Sequence, residues 1–151
     1  MPNYCEYEMR VKGSKEALEE FIKLDDYEID NHFYRMFDYD NTGIEQVEGD
    51  LYETVIYGEC AWSICSCCVD GYPDKDLFAY HTGRLNLTLE CFSREPGMCF
   101  EEHYIYVNGV CALDETEEYY EYYIGDSPVY EQFLEEYPNT TITREQFNDA
   151  D

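Results

Sequence analysis

Residues 103–113, HYIYVNGVCAL, decide the fold class, because two apolar segments flank the dipeptide Asn108-Gly109. Asn-Gly is the pair that a two-residue type I′ turn prefers, since both central positions need a positive φ. The stretch therefore predicts an antiparallel β-hairpin. Upstream, residues 85–91, LNLTLEC, alternate apolar and polar side chains, which predicts a strand with one buried face. A turn at residues 95–97, EPG, separates the two.

The N-terminal part predicts a strand followed by a capped helix. Residues 4–11 favour a strand that ends at Gly13, and Ser14 fits the N-cap of a helix over residues 15–23. The apolar residues of that helix recur at helical spacing and form one stripe. The remaining expectations in the first half are an acidic loop at 25–31, a strand at 32–37, a turn at 38–43, a strand at 51–57 and a short buried helix at 61–69.

The C-terminal part predicts an acidic extension of a single domain. Asp114 and Glu117 fit a capping box for a short helix, with a strand as the alternative. Ser127 and Pro128 fit the start of a second helix, which ends at Pro138. Together the elements predict one α+β domain over residues 1–151, with helices on one face of an antiparallel sheet, a late hairpin and an acidic extension over about 114–151.

The strongest departure from ordinary composition is the charge: 35 Asp and Glu against 9 Lys and Arg give a net −26 on 151 residues. Aromatic residues make up 17% of the chain, so it has enough apolar surface to bury a core and is not a disordered acidic tail. Half of the charge, −13, lies in residues 101–151, where Arg144 is the single base. Direct binding to nucleic acid is excluded, because it depends on Lys and Arg against phosphate.

The charge density is comparable to that of DNA, which indicates a basic partner. A compact chain of this length has a diameter of roughly 38 Å, and a duplex of that length carries about 22 phosphate charges. The charge therefore favours a mimic of nucleic acid that occupies the basic channel of a nucleic-acid-binding protein. The alternative is an acidic surface without mimicry. The residues expected to contact the partner are Glu115, Glu117, Glu118, Glu121, Asp126, Glu131, Glu135, Glu136, Tyr119 and Tyr122.

The eight cysteines need an explanation other than disulfide bonds. No stretch has the length of a membrane span and the N-terminus lacks the apolar run of a signal peptide, so a soluble, cytoplasmic protein is expected. Disulfides are uncommon in a reducing compartment. Cys65, Cys67 and Cys68 have the spacing of soft-metal ligands, but no second paired cluster follows. We therefore predict buried structural thiols, with a metal-binding module or small enzyme at residues 65–68, or redox chemistry, as alternatives.

Three further residues raise the question of catalysis. His103 follows Glu101 and Glu102, which fits a carboxylate–histidine metal site, although a surface histidine beside acids is the simpler interpretation. Glu95, Cys99 and His103 together fit a nucleophile and its base.

The EPGM turn that contains Glu95 is equally explained by the backbone at Gly97 and by burial of Met98. The sequence contains no P-loop, nucleophile elbow or zinc-protease motif. We accordingly predict no enzyme and assign no catalytic residue, cofactor or metal ligand.

Three segments match a known family pattern: residues 1–13, MPNYCEYEMRVKG; residues 58–67, GECAWSICSC; and residues 93–109, SREPGMCFEEHYIYVNG. Together they resemble the YubB-type ferredoxin-like domain family, small proteins encoded largely by phages and plasmids. The resemblance covers roughly residues 1–113, and Tyr4 stands where members usually have Trp. It implies a ferredoxin-like split βαβ fold and a mobile-element origin, and it brings no catalytic residues.

These observations lead to one functional hypothesis. The chain is expected to be a phage or mobile-element inhibitor of a host defence protein that targets nucleic acid, such as a CRISPR effector nuclease or a restriction enzyme. It would act in the cytoplasm of the host cell, without contact with a membrane. Whether it forms a homodimer stays open.

Overall fold

An antiparallel sheet of seven strands dominates the structure, a computed structural model that describes residues 3–70 and 75–118 together with residues 138, 139 and 141. The chain divides into two compact units, Met1–Tyr119 and Tyr120–Asp151, and the strands and helices that follow all belong to the first unit. The strands are β1 (Tyr4–Gly13), β2 (Asp40–Asn41), β3 (Glu45–Glu48), β4 (Leu51–Ala61), β5 (Thr88–Glu95), β6 (Phe100–Val107) and β7 (Val110–Glu118). The helices are α1 (Lys15–Phe21), α2 (Leu77–Leu85) and a π-helical turn at Cys65–Val69.

Strand β1 is the centre of the sheet. The strand order is β2-β4-β1-β5-β6-β7, and β3 also pairs with β4. Because β1 is antiparallel to both β4 and β5, those two strands run parallel to each other on either side of it. The chain passes from β4 to β5 through α2, whereas β1 and β4 are direct antiparallel neighbours. The predicted α+β class with a mainly antiparallel sheet is therefore confirmed.

The core lies on one face of this sheet. Along β1 every second residue is buried: Cys5, Tyr7, Met9 and Val11. The residues between them face solvent, as a half-buried strand requires. Apolar residues of α1 and α2 belong to the same buried cluster, so both helices pack on this face. Each large side chain buried there contributes about 1.5–3 kcal/mol to stability relative to an exposed one.

The predicted N-terminal elements and the late hairpin are confirmed. The Ser14 hydroxyl accepts a hydrogen bond from the Ala17 backbone N–H at 3.1 Å, and the helix that it caps ends at Phe21, two residues earlier than expected. Asn108 and Gly109 have φ of 47° and 87°, as a type I′ turn needs. Strand β7 continues to Glu118, so the strand alternative is correct and the helix from Asp114 is wrong.

Of two expectations for the middle of the chain, the strand at 32–37 is wrong and the short buried helix at 61–69 is confirmed only in part. Residues 32–37 form no strand, because Arg35 has a φ of 60° and only Met36 makes an isolated bridge, to Cys60. The helix expected at 61–69 is reduced to the π-helical turn, since β4 extends to Ala61 and Trp62 follows with a φ of 69°. In both places a residue with positive φ interrupts regular structure.

Helix α2 was not predicted. Its N-cap is Asp76, whose carboxylate accepts from the Ala79 N–H at 2.9 Å, and Asn86 ends it in the left-handed conformation. The alternation in residues 85–91 is therefore real only from Leu87 onward, because Leu85 is the last residue of the helix. The helix expected from Ser127 lies outside the described residues.

Gly58 on β4 allows the backbone of β4 to lie in close contact with the segment that precedes β2. A Cβ built on Gly58 would overlap the backbone carbonyl of Asp38, which also accepts a hydrogen bond from the Tyr7 hydroxyl at 2.6 Å. We expect Gly58→Ala to lower the free energy of unfolding by about 1–3 kcal/mol, because the backbone at Asp38 must move away from the added carbon. Urea unfolding followed by circular dichroism measures this.

Gly49→Ala is the matched control, because its φ of 55° strains the backbone but nothing lies within 4 Å of the added carbon. The control should cost about 1 kcal/mol. Equal losses in the two variants would show that the close approach at Gly58 does not limit stability.

Candidate functional site: an acidic sheet face

The open face of the sheet, opposite the helices, is a regular array of charged side chains. The register aligns Tyr57, Glu8, Phe92, His103 and Glu115 in one row across β4, β1, β5, β6 and β7. Neighbouring strands lie about 4.8 Å apart, and the next row on the same face is about 7 Å away along the strands. The face is therefore a two-dimensional grid, and the register of the strands shows which side chains are neighbours on it.

The next row is mostly acidic. It consists of Glu59, Glu6, Arg94, Glu101 and Glu117 in the same strand order. Over the five long strands the open face carries three bases, Arg10, Lys12 and Arg94. The same strands carry eight carboxylates there: Glu6, Glu8, Glu53, Glu59, Glu90, Glu101, Glu115 and Glu117.

The three bases do not neutralise this face. Within the described residues these bases form ion pairs with Glu8, Glu53 and Glu101, at nitrogen–oxygen distances of 3.8–3.9 Å. Pairs of this length between exposed side chains contribute only about 0–1 kcal/mol. Among the described residues, the ion pairs leave both Glu115 and Glu117 on β7 without a basic partner. The face therefore has an excess of negative charge that a basic surface can match.

An aromatic pair lies in the middle of the acids. The Phe92 and His103 rings stack with centroids 4.0 Å apart and planes 18° apart. His103 Nε2 is 2.8 Å from Glu90 Oε2, which fixes the imidazole. Phe92 is 49% exposed, although aromatic rings of this size are usually buried. The surface is concave here, with a cavity of about 480 Å³.

Only part of the predicted contact set can be placed. Glu115 and Glu117 lie on the open face, and Glu118 is exposed on the opposite side of β7. The other predicted contacts lie outside the described residues: Glu121, Asp126, Glu131, Glu135, Glu136, Tyr119 and Tyr122.

Sequence reasoning missed the acids on the central strands, such as Glu6, Glu8 and Glu90. The alternation in residues 4–12 and 88–94 was a sufficient signal to place them on one face, but the denser charge of the last third obscured it.

The cysteines are mainly part of the core. Cys5, Cys60, Cys67, Cys68 and Cys91 are buried free thiols, which confirms the structural interpretation for these five. Burial raises the pKa of the Cys68 and Cys91 thiols, so both stay protonated and unreactive. Cys111 is exposed, contrary to expectation. Within the described ranges no group of three or more His, Cys, Asp and Glu side chains is arranged to hold a metal ion.

The suggested nucleophile and base are not brought together. The Glu95 carboxylate accepts hydrogen bonds from the backbone N–H groups of Gly97 and Met98 at 2.7 and 2.6 Å. The Cys99 thiol donates to the Pro96 carbonyl at 3.3 Å, and His103 is held by Glu90. Glu95 therefore closes its own turn. Met98 is 65% exposed, so its burial does not explain the turn.

Glu102 points away from Glu101 and His103, into the core, so the three do not form a metal site. One oxygen of its carboxylate accepts from the Ile64 N–H at 3.2 Å and the Ser93 hydroxyl at 3.0 Å; the other accepts from the Tyr104 hydroxyl at 3.2 Å. Burial raises the pKa of this carboxyl, because the three donors only partly replace water. Glu102 fixes the start of the π-helical turn to β5 and β6.

Comparison of the chain with protein-family models, with curated proteins and with solved structures finds no match. None of the helices in the described residues is long and apolar enough to cross a membrane.

The raised pKa of Glu102 makes stability depend on pH. The folded protein favours the protonated carboxyl, so this stabilisation is present below the ordinary pKa of 4.5 and is lost as the pH rises through the raised value. Glu102→Gln keeps an uncharged acceptor in place. We expect its free energy of unfolding, relative to the natural protein, to increase as the pH is raised from 4.5, as measured by urea unfolding at a series of pH values.

Glu102→Ala should instead cost about 1–3 kcal/mol at pH 4.5, because the Ile64 N–H loses its acceptor, and this cost should shrink as the pH rises, since the natural protein then loses its own stabilisation from Glu102. Glu101→Gln, on the open face, is the matched control. A Glu102→Gln difference that stays constant across the pH series would contradict the assignment.

Proposed function

We propose that this protein is a non-enzymatic inhibitor that imitates nucleic acid and occupies the basic channel of a host protein that targets nucleic acid, such as a CRISPR effector nuclease or a restriction enzyme. The observation that carries the proposal is the open face, where eight carboxylates accompany three bases on five adjacent strands. A partner whose lysines and arginines are spaced to hold phosphates can pair with such a grid.

The open face can supply a large part, though not all, of an interface with a protein partner. Five strands about 4.8 Å apart and roughly 25 Å long give on the order of 500 Å², somewhat less than the ~800 Å² that each partner contributes to a standard interface. Exposed aromatic side chains on the same side, Phe92 and Tyr57, add rigid contact area. Since the chain as a whole carries −26, long-range attraction would speed its association with a basic target.

The family and the origin of the chain are part of the same proposal. The resemblance to the YubB-type family implies a ferredoxin-like domain encoded by a phage or plasmid and acting in the host cytoplasm. Strands β4 and β5, parallel on either side of β1 and joined through α2, supply one split βαβ unit in support. The direct antiparallel pairing of β1 with β4 differs from a second such unit.

The first test is capture of a basic partner in competition with nucleic acid. Tagged full-length protein is incubated with host lysate at two salt concentrations, with and without added duplex DNA. We expect the captured proteins to be nucleic-acid-binding proteins, displaced by the duplex and weakened at high salt, because exposed charges are screened. A ternary complex with duplex, or no basic protein captured, would contradict mimicry and favour an acidic surface without this role.

Charge reversal on the open face is the second test. Replacing Glu6, Glu8, Glu115 and Glu117 by Lys should weaken binding to the captured target by about fourfold or more, since each of the four lost exposed pairs is worth about 0.2–1 kcal/mol. Binding is measured by calorimetry and folding by circular dichroism.

The matched control carries four reversals of exposed acids away from the open face, at Glu16, Glu19, Glu28 and Asp30. It has the same net charge as the test variant. If both variants lose binding equally, total charge rather than the open face determines recognition.

A further inference from the structure

The exposed Phe92 ring has no role in the core. It lies on β5, on the open face, and its neighbours in the same row are Glu8 on β1 and His103 on β6. An apolar ring with 49% of its surface in water costs free energy unless a partner covers it. A charge mimic alone does not require it.

The position of the ring is fixed from one side. His103 stacks on the face of Phe92 that is turned toward β6, and the hydrogen bond to Glu90 holds the imidazole in place. The opposite face of the ring is turned toward β1. Glu8, the direct cross-strand neighbour of Phe92, projects there, with an exposed side chain.

The cavity around this ring, which we call the Phe92 cavity, has an acidic wall. Among the residues that the structure describes, five exposed or half-exposed carboxylates line it, against one guanidinium, that of Arg94, which lies 3.9 Å from Glu101. The carboxylates are Glu6, Glu8, Glu101, Glu115 and Glu117. An aromatic floor with acidic walls selects a cation that can both stack and donate several hydrogen bonds.

We propose that the Phe92 cavity binds an arginine side chain of the partner. The guanidinium stacks on the side of the Phe92 ring that is opposite His103, and its N–H groups donate to Glu8 and neighbouring carboxylates. The guanidinium is planar, weakly hydrated and able to pair with carboxylates through two parallel hydrogen bonds, whereas the ammonium of lysine is a strongly hydrated point charge. A second copy of this chain does not fit, because its own open face is acidic. The inference rests on the proposed function and adds the side chain that is recognised.

The test uses two peptides of equal charge, hexa-arginine and hexa-lysine, titrated into the full-length protein by calorimetry at low salt. We expect hexa-arginine to bind about two- to fivefold more tightly, the ratio that an exposed cation–π contact supplies. In Phe92→Leu, which keeps an apolar side chain of similar size, the ratio should fall to the smaller preference that pairing with the carboxylates supplies alone. In Phe92→Trp it should rise, since Trp is the strongest cation–π ring.

Phe37→Leu is the matched control, because Phe37 is 47% exposed and packs against Tyr4 rather than in the Phe92 cavity. This variant should keep the arginine preference. Equal affinity of the natural protein for the two peptides, or a preference that is undiminished in Phe92→Leu, would overturn the proposal; circular dichroism verifies that each variant is folded. An arginine preference that depends on Phe92 without capture of a nucleic-acid-binding protein would retain the cavity assignment and reject the mimic.

Discussion

The whole arrangement depends on the hydrogen bonding of β1 on both of its edges. A strand enclosed between β4 and β5 cannot shift its register without breaking two ladders at once, so its alternation is fixed. That alternation places Cys5, Tyr7, Met9 and Val11 in the core and the intervening charged side chains in water. Because every other long strand is aligned to β1 directly or through β5, a slip of one residue would bury carboxylates across the sheet.

Carboxylates enter the core in only two places within the described part of the chain, and both are satisfied locally. Glu102 and Glu95 are buried, and each accepts hydrogen bonds from backbone N–H groups of irregular segments next to the sheet. Small free thiols fill the space near the π-helical turn, where Cys67 donates to the Ala61 carbonyl at 3.4 Å. Carboxylates are thus buried only where the backbone of a turn needs a hydrogen-bond acceptor. All other carboxylates in the described part of the chain are at least partly exposed.

The sequence predicted the parts of the fold that are determined locally. The Asn108-Gly109 turn and the Ser14 cap depend on one or two residues each, and both were found as expected. Residues 32–37 look like a strand by composition but follow a path set by tertiary contacts, since Phe33 packs in the core against Phe21 and Phe78. Helix α2 was obscured because its last residue, Leu85, continues the alternation of the strand that follows. The candidate site was only half predictable: the charge indicated a basic partner, but the row that joins Phe92 to His103 exists only once β5 and β6 are aligned.

Strand β7 bears on whether copies of this chain can pair with one another through the edges of their sheets. It is the last strand in the sheet order, so in the described part of the chain its outer backbone groups have no strand partner. Edges of this type are templates for uncontrolled sheet growth between molecules, which ends in fibrils. Here the edge carries Asp114, Glu115, Glu117 and Glu118, and a second β7 laid alongside would oppose carboxylate to carboxylate. We therefore expect the acidity of β7 to oppose this kind of pairing between copies of the chain.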